Sequence, residues 1–251
     1  MYKNVKAIVL REVRYKEADR ILTLYSAEEG KITASAHGAL SKKSCLAAST
    51  QHLTYSDFVL DYRNGRYSVK EAGIIEQFAI LRADYSNYSL ACYFAECIEY
   101  LCPEETPEET ILRLLLNSLY ALNHSLYPQE QIKAAFELRL LSELGYSPVL
   151  QSCYVCGAET PSFPVFCYEN GCVCCRDCRT ASLGNGAPLT ASALEGMKHI
   201  AGSGLKHFLS FSIEKADLAS MANATEKYFK FHSGRNFATL DYWMKIRNDV
   251  L

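Results

Sequence analysis

With 251 residues, 49% hydrophobic and 22% charged, the chain has the composition of a folded protein of one or two domains, which excludes disordered, collagenous and low-complexity classes. No apolar run reaches the roughly 18–20 residues that a membrane helix needs. Met1-Tyr2-Lys3-Asn4 lacks the apolar stretch of a secretory signal, so the expectation is a cytoplasmic protein with no membrane partner. The formal net charge of −2 conceals an asymmetry: residues 1–82 hold 13 basic and 9 acidic residues, and the remainder holds 13 and 19.

The first 80 residues alternate apolar and polar positions in short runs. Val5–Leu10, Ile21–Tyr25 and Lys31–Ala34 are three of them, the last following the turn residue Gly30. Phe58–Tyr62 and Tyr67–Val69 flank Arg63-Asn64-Gly65-Arg66, and Asn-Gly between two such runs predicts a tight hairpin. About five short strands in this span predict a small barrel or sandwich.

Beyond residue 82 the period becomes helical. Leu90, Tyr93, Phe94, Cys97, Ile98 and Leu101 form one apolar stripe, in which Cys97 reads as a small core residue. Thr106-Pro107-Glu108-Glu109 combines a capping residue, a proline at the first position and a glutamate three residues on, predicting a helix whose core face is Ile111, Leu112, Leu115, Leu116, Leu119 and Leu122. A third helix, Ile132 to Leu144, is stopped by Gly145 and Pro148. Thr190 to Ile200 and about Leu218 to His232 are two more.

Seven of the 11 cysteines fall between residues 153 and 178. Cys153-x-x-Cys156-Gly157 and Cys175-x-x-Cys178 have the spacing of two knuckles on one structural zinc ion. A two-residue spacer lets two thiolates reach one metal, and four thiolates leave no open position for catalysis. Cys175 is preferred because it alone gives that spacer to Cys178; Cys174 is the reserve, and Cys167 and Cys172 fall on the excursion between the pairs. A metal-free cysteine-rich loop or a redox pair is the alternative.

No chemistry-bearing motif accompanies the cysteines. The chain has no Gly-x-x-x-x-Gly-Lys phosphate loop, no His-Glu-x-x-His helix and no deaminase signature, and its six histidines show no ligand spacing. His232, ahead of Gly234-Arg235, reads as a structural or helix-capping residue. A non-enzymatic protein is expected, with a zinc-dependent enzyme as the minor alternative.

The ordered motifs resemble the bacterial recombination mediator RecO family over essentially the whole chain. Those that carry the resemblance are Ala7–Leu10, Tyr15-Lys-Glu-Ala-Asp-Arg20 running into Ile21–Leu24, Glu29-Gly30-Lys31, the loop His37-Gly38-Ala39 through Lys42-Lys43-Ser44, the junction Leu144-Gly145-Tyr146-Ser147-Pro148 into Cys153-x-x-Cys156-Gly157, and Tyr228–Arg235. The resemblance implies a multidomain α+β protein: an N-terminal OB-fold β-barrel over 1–80, then an all-helical domain over 81–251 with an inserted four-cysteine zinc module at about 150–180. It implies binding of single- and double-stranded DNA and annealing of complementary strands. It also implies partnership with RecR and with the C-terminal tail of the single-stranded-DNA-binding protein, an indirect role in loading RecA onto gapped DNA, and association with the nucleoid during repair. Ala39-Leu40 stands where the family carries a more basic stretch, so the alternative is a protein-interaction adaptor of the repair machinery with weak or no direct DNA binding.

A positive barrel that binds single strands needs cations for phosphates and aromatic faces for bases. Arg14, Lys16, Arg20, Lys42, Lys43, Arg63 and Arg66 are the candidate phosphate contacts, and Tyr62 and Tyr67 the candidate stacking platforms, against the plainer reading of a solvated barrel face with core tyrosines. Residues 198–251 carry eight basic and five acidic residues, a surface suited to an acidic, apolar peptide or simply a helix end.

Overall fold

The computed structural model describes residues 1–249. These form two compact units: residues 1–124 with the stretch from Phe237 onward, and residues 125–236.

In the first unit, strands β1 (Tyr2–Tyr15), β2 (Asp19–Ser26), β3 (Gly30–Ala36), β4 (Tyr55–Arg63) and β5 (Arg66–Glu76) close into a barrel in the order β1-β2-β3-β5-β4. All pairings are antiparallel except β3 with β5, where Ala34 and Ser35 face Tyr67 and Ser68. This is the closed five-stranded arrangement of an OB-like barrel. Strand alternation sends Val5, Ala7 and Val9, Leu22 and Leu24, Ile32 and Ala34, and Phe58 and Leu60 into one core. The β4–β5 hairpin turns where expected, with Asn64 and Gly65 both at positive φ and Arg63 paired to Arg66.

Three helices complete this unit: α1 (Tyr85–Leu101), α2 (Glu109–Asn123) and α6 (Ala238–Asp249). Helix α1 buries Leu90, Tyr93, Phe94, Cys97 and Ile98, and Asp84 caps it by accepting the Asn87 N–H at 2.9 Å. Glu99 of α1 meets Arg11 of the barrel at 3.2 Å, and its carbonyl accepts from Lys31 at 2.6 Å. The texture change near residue 82 therefore marks the switch from strand to helix, while the compact units divide after His124. The expected cap at Thr106 does not form. The Thr106 hydroxyl bonds to the Glu104 carbonyl, Glu104 bridges to Lys31 of β3, and the helix begins only at Glu109. Helix α6 was not expected from sequence; it packs on α1 and buries Trp243.

The second unit holds α3 (Gln129–Glu143), α4 (Ala191–Gly202) and α5 (Lys215–Ser233), with α3 packed against both others. Helix α3 is buried nearly all round, as a central helix must be. It ends as its sequence predicts: Gly145 takes a φ of +92°, the Tyr146 N–H reaches the Leu141 carbonyl at 2.8 Å, and the Gly145 N–H reaches that of Ser142 at 3.1 Å. Only a residue without a Cβ closes this double-bonded cap cheaply. Thr190 caps α4 by accepting from the Ala193 N–H at 3.1 Å, and α5 ends on left-handed Gly234. His232 is therefore no cap; its ring lies against Tyr228 and Tyr146 and its Nε2 meets the Tyr168 carbonyl at 3.1 Å. Between α3 and α4 runs a three-stranded sheet in the order β7 (Cys172–Cys175), β6 (Pro164–Cys167), β8 (Gly186–Pro188), which the sequence reading passed over.

No helix among the described residues is long and apolar enough to cross a membrane.

Candidate metal centre and nucleic-acid interface

The antiparallel β6–β7 ladder pairs Pro164 with Cys175 and Cys167 with Cys172, and so delivers the second cysteine pair to the first. The sulfurs of Cys153, Cys156, Cys175 and Cys178 all lie within 4.8 Å of one another. The Cys156–Cys175 separation is 3.9 Å. A tetrahedron with Zn–S bonds of about 2.3 Å places its sulfurs ~3.8 Å apart, so this donor set and spacing fit a tetrahedral soft-ligand metal such as zinc. Backbone donors already point inward: the Cys175 N–H reaches the Cys153 sulfur and the Ser162 N–H reaches the Cys175 sulfur, each at 3.3 Å. Burial works against a charged Cys153, but N–H groups from Cys156, Cys175 and Val155 outweigh it and bring the thiol down to about 6. Hydrogen bonding to Cys156, with burial, pushes Cys178 up to about 12. Four thiols crowded together can share only a little negative charge without a cation among them.

Cys174, held in reserve from sequence, is placed elsewhere. It faces Cys167 across the strand pair at 3.5 Å and is fully buried, as is Cys167. These two and Cys172 form the floor under the four-thiol cluster.

The barrel carries the second candidate site, a cleft of about 650 Å³ at the β1, β3, β4 and β5 end. Lys16, Arg63, Arg66 and Lys70 converge on it together with Tyr15 and His37. At its floor the Asp61 carboxylate is 2.9 Å from Arg63 and 3.8 Å from Lys70. Burial tends to raise the Asp61 pKa, but the Arg63 guanidinium prevails and holds it below the usual carboxylate range.

The candidate phosphate contacts thus divide. Lys16, Arg63 and Arg66 share the cleft. Arg14 is exposed near the end of β1, opposite Arg20 in the ladder, and Lys42 and Lys43 are exposed on the loop after β3. Arg20 is committed to the protein itself: its guanidinium pairs with Glu12 at 3.1 Å and donates to the Ala47 carbonyl at 2.9 Å and the Thr50 hydroxyl at 2.8 Å. It pins the long loop between β3 and β4. Tyr67 is also corrected. It is only 8% exposed, its ring packs on Tyr62 at 4.6 Å, and its hydroxyl donates to Glu29 at 3.0 Å. The accessible rings are Tyr62 and Tyr15, at 37% and 49% exposure. Sequence reasoning missed Lys70, although it shares the period-two face of Arg66 and Ser68 on β5.

Comparison with known proteins then gives two matching family models, "Recombination protein O N terminal" over residues 1–78 and "Recombination protein O C terminal" over residues 82–241. A protein named "DNA repair protein RecO" from Acetivibrio thermocellus is 33% identical over 241 residues, covering 96% of each chain. The protein of the same name from Symbiobacterium thermophilum is 31% identical over 255 residues, covering 98% of each. That from Heliobacterium modesticaldum is 36% identical over 205 residues, covering 78% of this chain and 72% of its own.

Proposed function

The chain belongs to the RecO family of DNA repair proteins, and from that premise we propose that it acts as a mediator of recombinational repair that binds single- and double-stranded DNA and anneals complementary strands. The observation that carries this reading is the barrel cleft, where Lys16, Arg63, Arg66 and Lys70 converge beside an exposed Tyr15.

The cations supply the sequence-independent part of binding, by replacing the counterions condensed on phosphates. Asp61 steadies Arg63 and Lys70 until a phosphate takes their charge. Tyr15 and Tyr62 offer π-faces that any base can use, so bases stay unpaired and ready for a second strand. Lys42 and Lys43 on their exposed loop add phosphate contacts, as does Arg14. Annealing then needs no covalent step: two strands neutralised along their backbones meet with their pairing edges free. Zinc held by Cys153, Cys156, Cys175 and Cys178 has a structural part, since four thiolates close its coordination sphere. The remaining partners are those of the family role: RecR, the C-terminal tail of the single-stranded-DNA-binding protein and, through them, RecA on gapped DNA.

Mixing the protein with complementary, dye-labelled strands at low salt is expected to accelerate duplex formation. Arg63→Ala, Arg66→Ala and Lys70→Ala combined are expected to reduce the acceleration by about tenfold or more, since three phosphate contacts are removed. An unaccelerated reaction with the wild-type chain would contradict the proposal.

A further inference from the structure

Outside the barrel, the most unusual surface lies on the cysteine module. Phe163 is 70% exposed and sits at a φ of +47°, a left-handed conformation that a bulky side chain rarely adopts. Such strain persists only where the surroundings impose it, and here they are identifiable. The Ser162 N–H is held on the Cys175 sulfur at 3.3 Å, and the Ser162 carbonyl accepts from the Arg176 N–H at 3.1 Å. The second cysteine knuckle therefore fixes the backbone on the N-terminal side of Phe163 and drives its ring outward. The Arg176 guanidinium then lies over that ring at 4.2 Å. On the first knuckle, Tyr154 is 62% exposed, with its backbone N–H bonded to the Val173 carbonyl at 2.9 Å. The module thus holds two aromatic rings and a stacked cation in water, against the hydrophobic cost of exposing them.

We infer that this knuckle surface, Phe163 with Arg176 and with Tyr154 on the adjoining knuckle, is a second contact for single-stranded nucleic acid, separate from the barrel cleft. The inference rests on the DNA-binding reading and adds to it the module that reads unpaired bases. Flat exposed rings match the faces of unstacked bases, and a guanidinium already stacked on one of them can meet the adjacent phosphate without leaving the ring. Arg176 makes no ion pair with a carboxylate among the described residues. Arg179, also exposed, donates to the Gly184 carbonyl at 2.8 Å and keeps its charge on the same turn. The acids on these segments are Asp177 and Glu159, both exposed. Duplex DNA presents no free base faces, so the surface discriminates between single and double strands.

The test uses the full-length, metal-loaded chain, with oligo-dT and a duplex as the two DNA probes, an acidic peptide as the control ligand, and metal content matched between variants. Phe163→Ala is expected to weaken oligo-dT binding about tenfold while leaving duplex affinity within about twofold. Phe163→Trp is expected to restore the affinity and to show fluorescence quenching by oligo-dT. The chain's single native tryptophan, Trp243, is 1% exposed, so the added signal reports on the knuckle. Unchanged oligo-dT binding by Phe163→Ala, an equal loss on both probes, or loss only of binding to an acidic peptide would overturn the inference, the last making this a protein-docking face. The combined Arg63, Arg66 and Lys70 alanine variant separates the two readings: if it binds both probes as the wild type does while Phe163→Ala loses oligo-dT, the barrel reading fails and the knuckle contact stands.

Discussion

Cys153→Ser is expected to abolish zinc binding by the four-cysteine cluster and to unfold the module from about Val149 to Pro188, while the barrel unit stays folded. Cys153 is 1% exposed and sits at the centre of the local bonding: its sulfur receives the Cys175 N–H, its carbonyl receives the Gly157 N–H at 2.8 Å, and its own N–H reaches the Ala158 carbonyl at 2.8 Å. The sheet it anchors has strands of only four, four and three residues. A sheet this small has little apolar area to bury, and thiols make up much of its floor. Structural zinc in comparable small modules contributes on the order of 10 kcal/mol of apparent binding free energy, which is comparable to the whole stability of an ordinary domain. Metal analysis should fall from one zinc per chain to none, and amide exchange should accelerate across the module alone. Cys174→Ser is the control: its sulfur faces Cys167 beneath the cluster, so zinc should stay bound. Retention of zinc by Cys153→Ser, or its loss from Cys174→Ser alone, would contradict the assignment.

The second large effect lies in the helical core of the same unit, on α3. Lys133 is 2% exposed and its ammonium group is shared between Glu137 and Glu226, each at 2.8 Å. Burial tends to lower the lysine pKa, but the two carboxylates prevail and hold it above its ordinary value. Lys133→Met removes the cation and leaves Glu137, 0% exposed, buried with its negative charge. Removing one partner of a buried pair costs about 3–5 kcal/mol, far more than the pair contributes over an apolar replacement. For a chain of this size that corresponds to roughly a 10 °C fall in melting temperature. Lys133→Met combined with Glu137→Leu should recover much of the loss, because the buried carboxylate is removed together with the ammonium group that offsets its charge. A thermal scan checks both variants; a single replacement that melts with the wild type would refute the account.

Several parts of this architecture are readable from local chemistry. Asn64-Gly65 specifies its turn because the two residues accept positive φ, and Gly145 specifies the end of α3 for the same reason. The stripe from Leu90 to Ile98 specifies its buried face because periodicity follows helix geometry. The four cysteines converge because each spacer fixes a knuckle, and only the choice between Cys174 and Cys175 waited for the strand pairing that turns one sulfur toward Cys167. What escaped depends on contacts distant in sequence. Thr106 has a capping pattern, yet the bridge between Glu104 and Lys31 holds the chain extended past it. Arg20 has the composition of a phosphate contact, yet the loop at Ala47 and Thr50 consumes its donors. Tyr67 flanks the hairpin as Tyr62 does and faces the same way, opposite it in the ladder, yet the Tyr62 ring on one side and Lys3 and Glu29 at its hydroxyl cover it. Lys70 was passed over because its partner Asp61 lies on the neighbouring strand.

The central claim is that the barrel cleft holds DNA through Lys16, Arg63, Arg66 and Lys70. The most direct measurement is the affinity for a single strand across a salt series, for the wild-type chain and for the combined alanine variant at Arg63, Arg66 and Lys70. Each lost phosphate contact should flatten the dependence of log K on log salt by about 0.7, so the variant's slope should be shallower by ~2, with weaker binding at low salt. Equal slopes and equal affinities for the two proteins would contradict the claim.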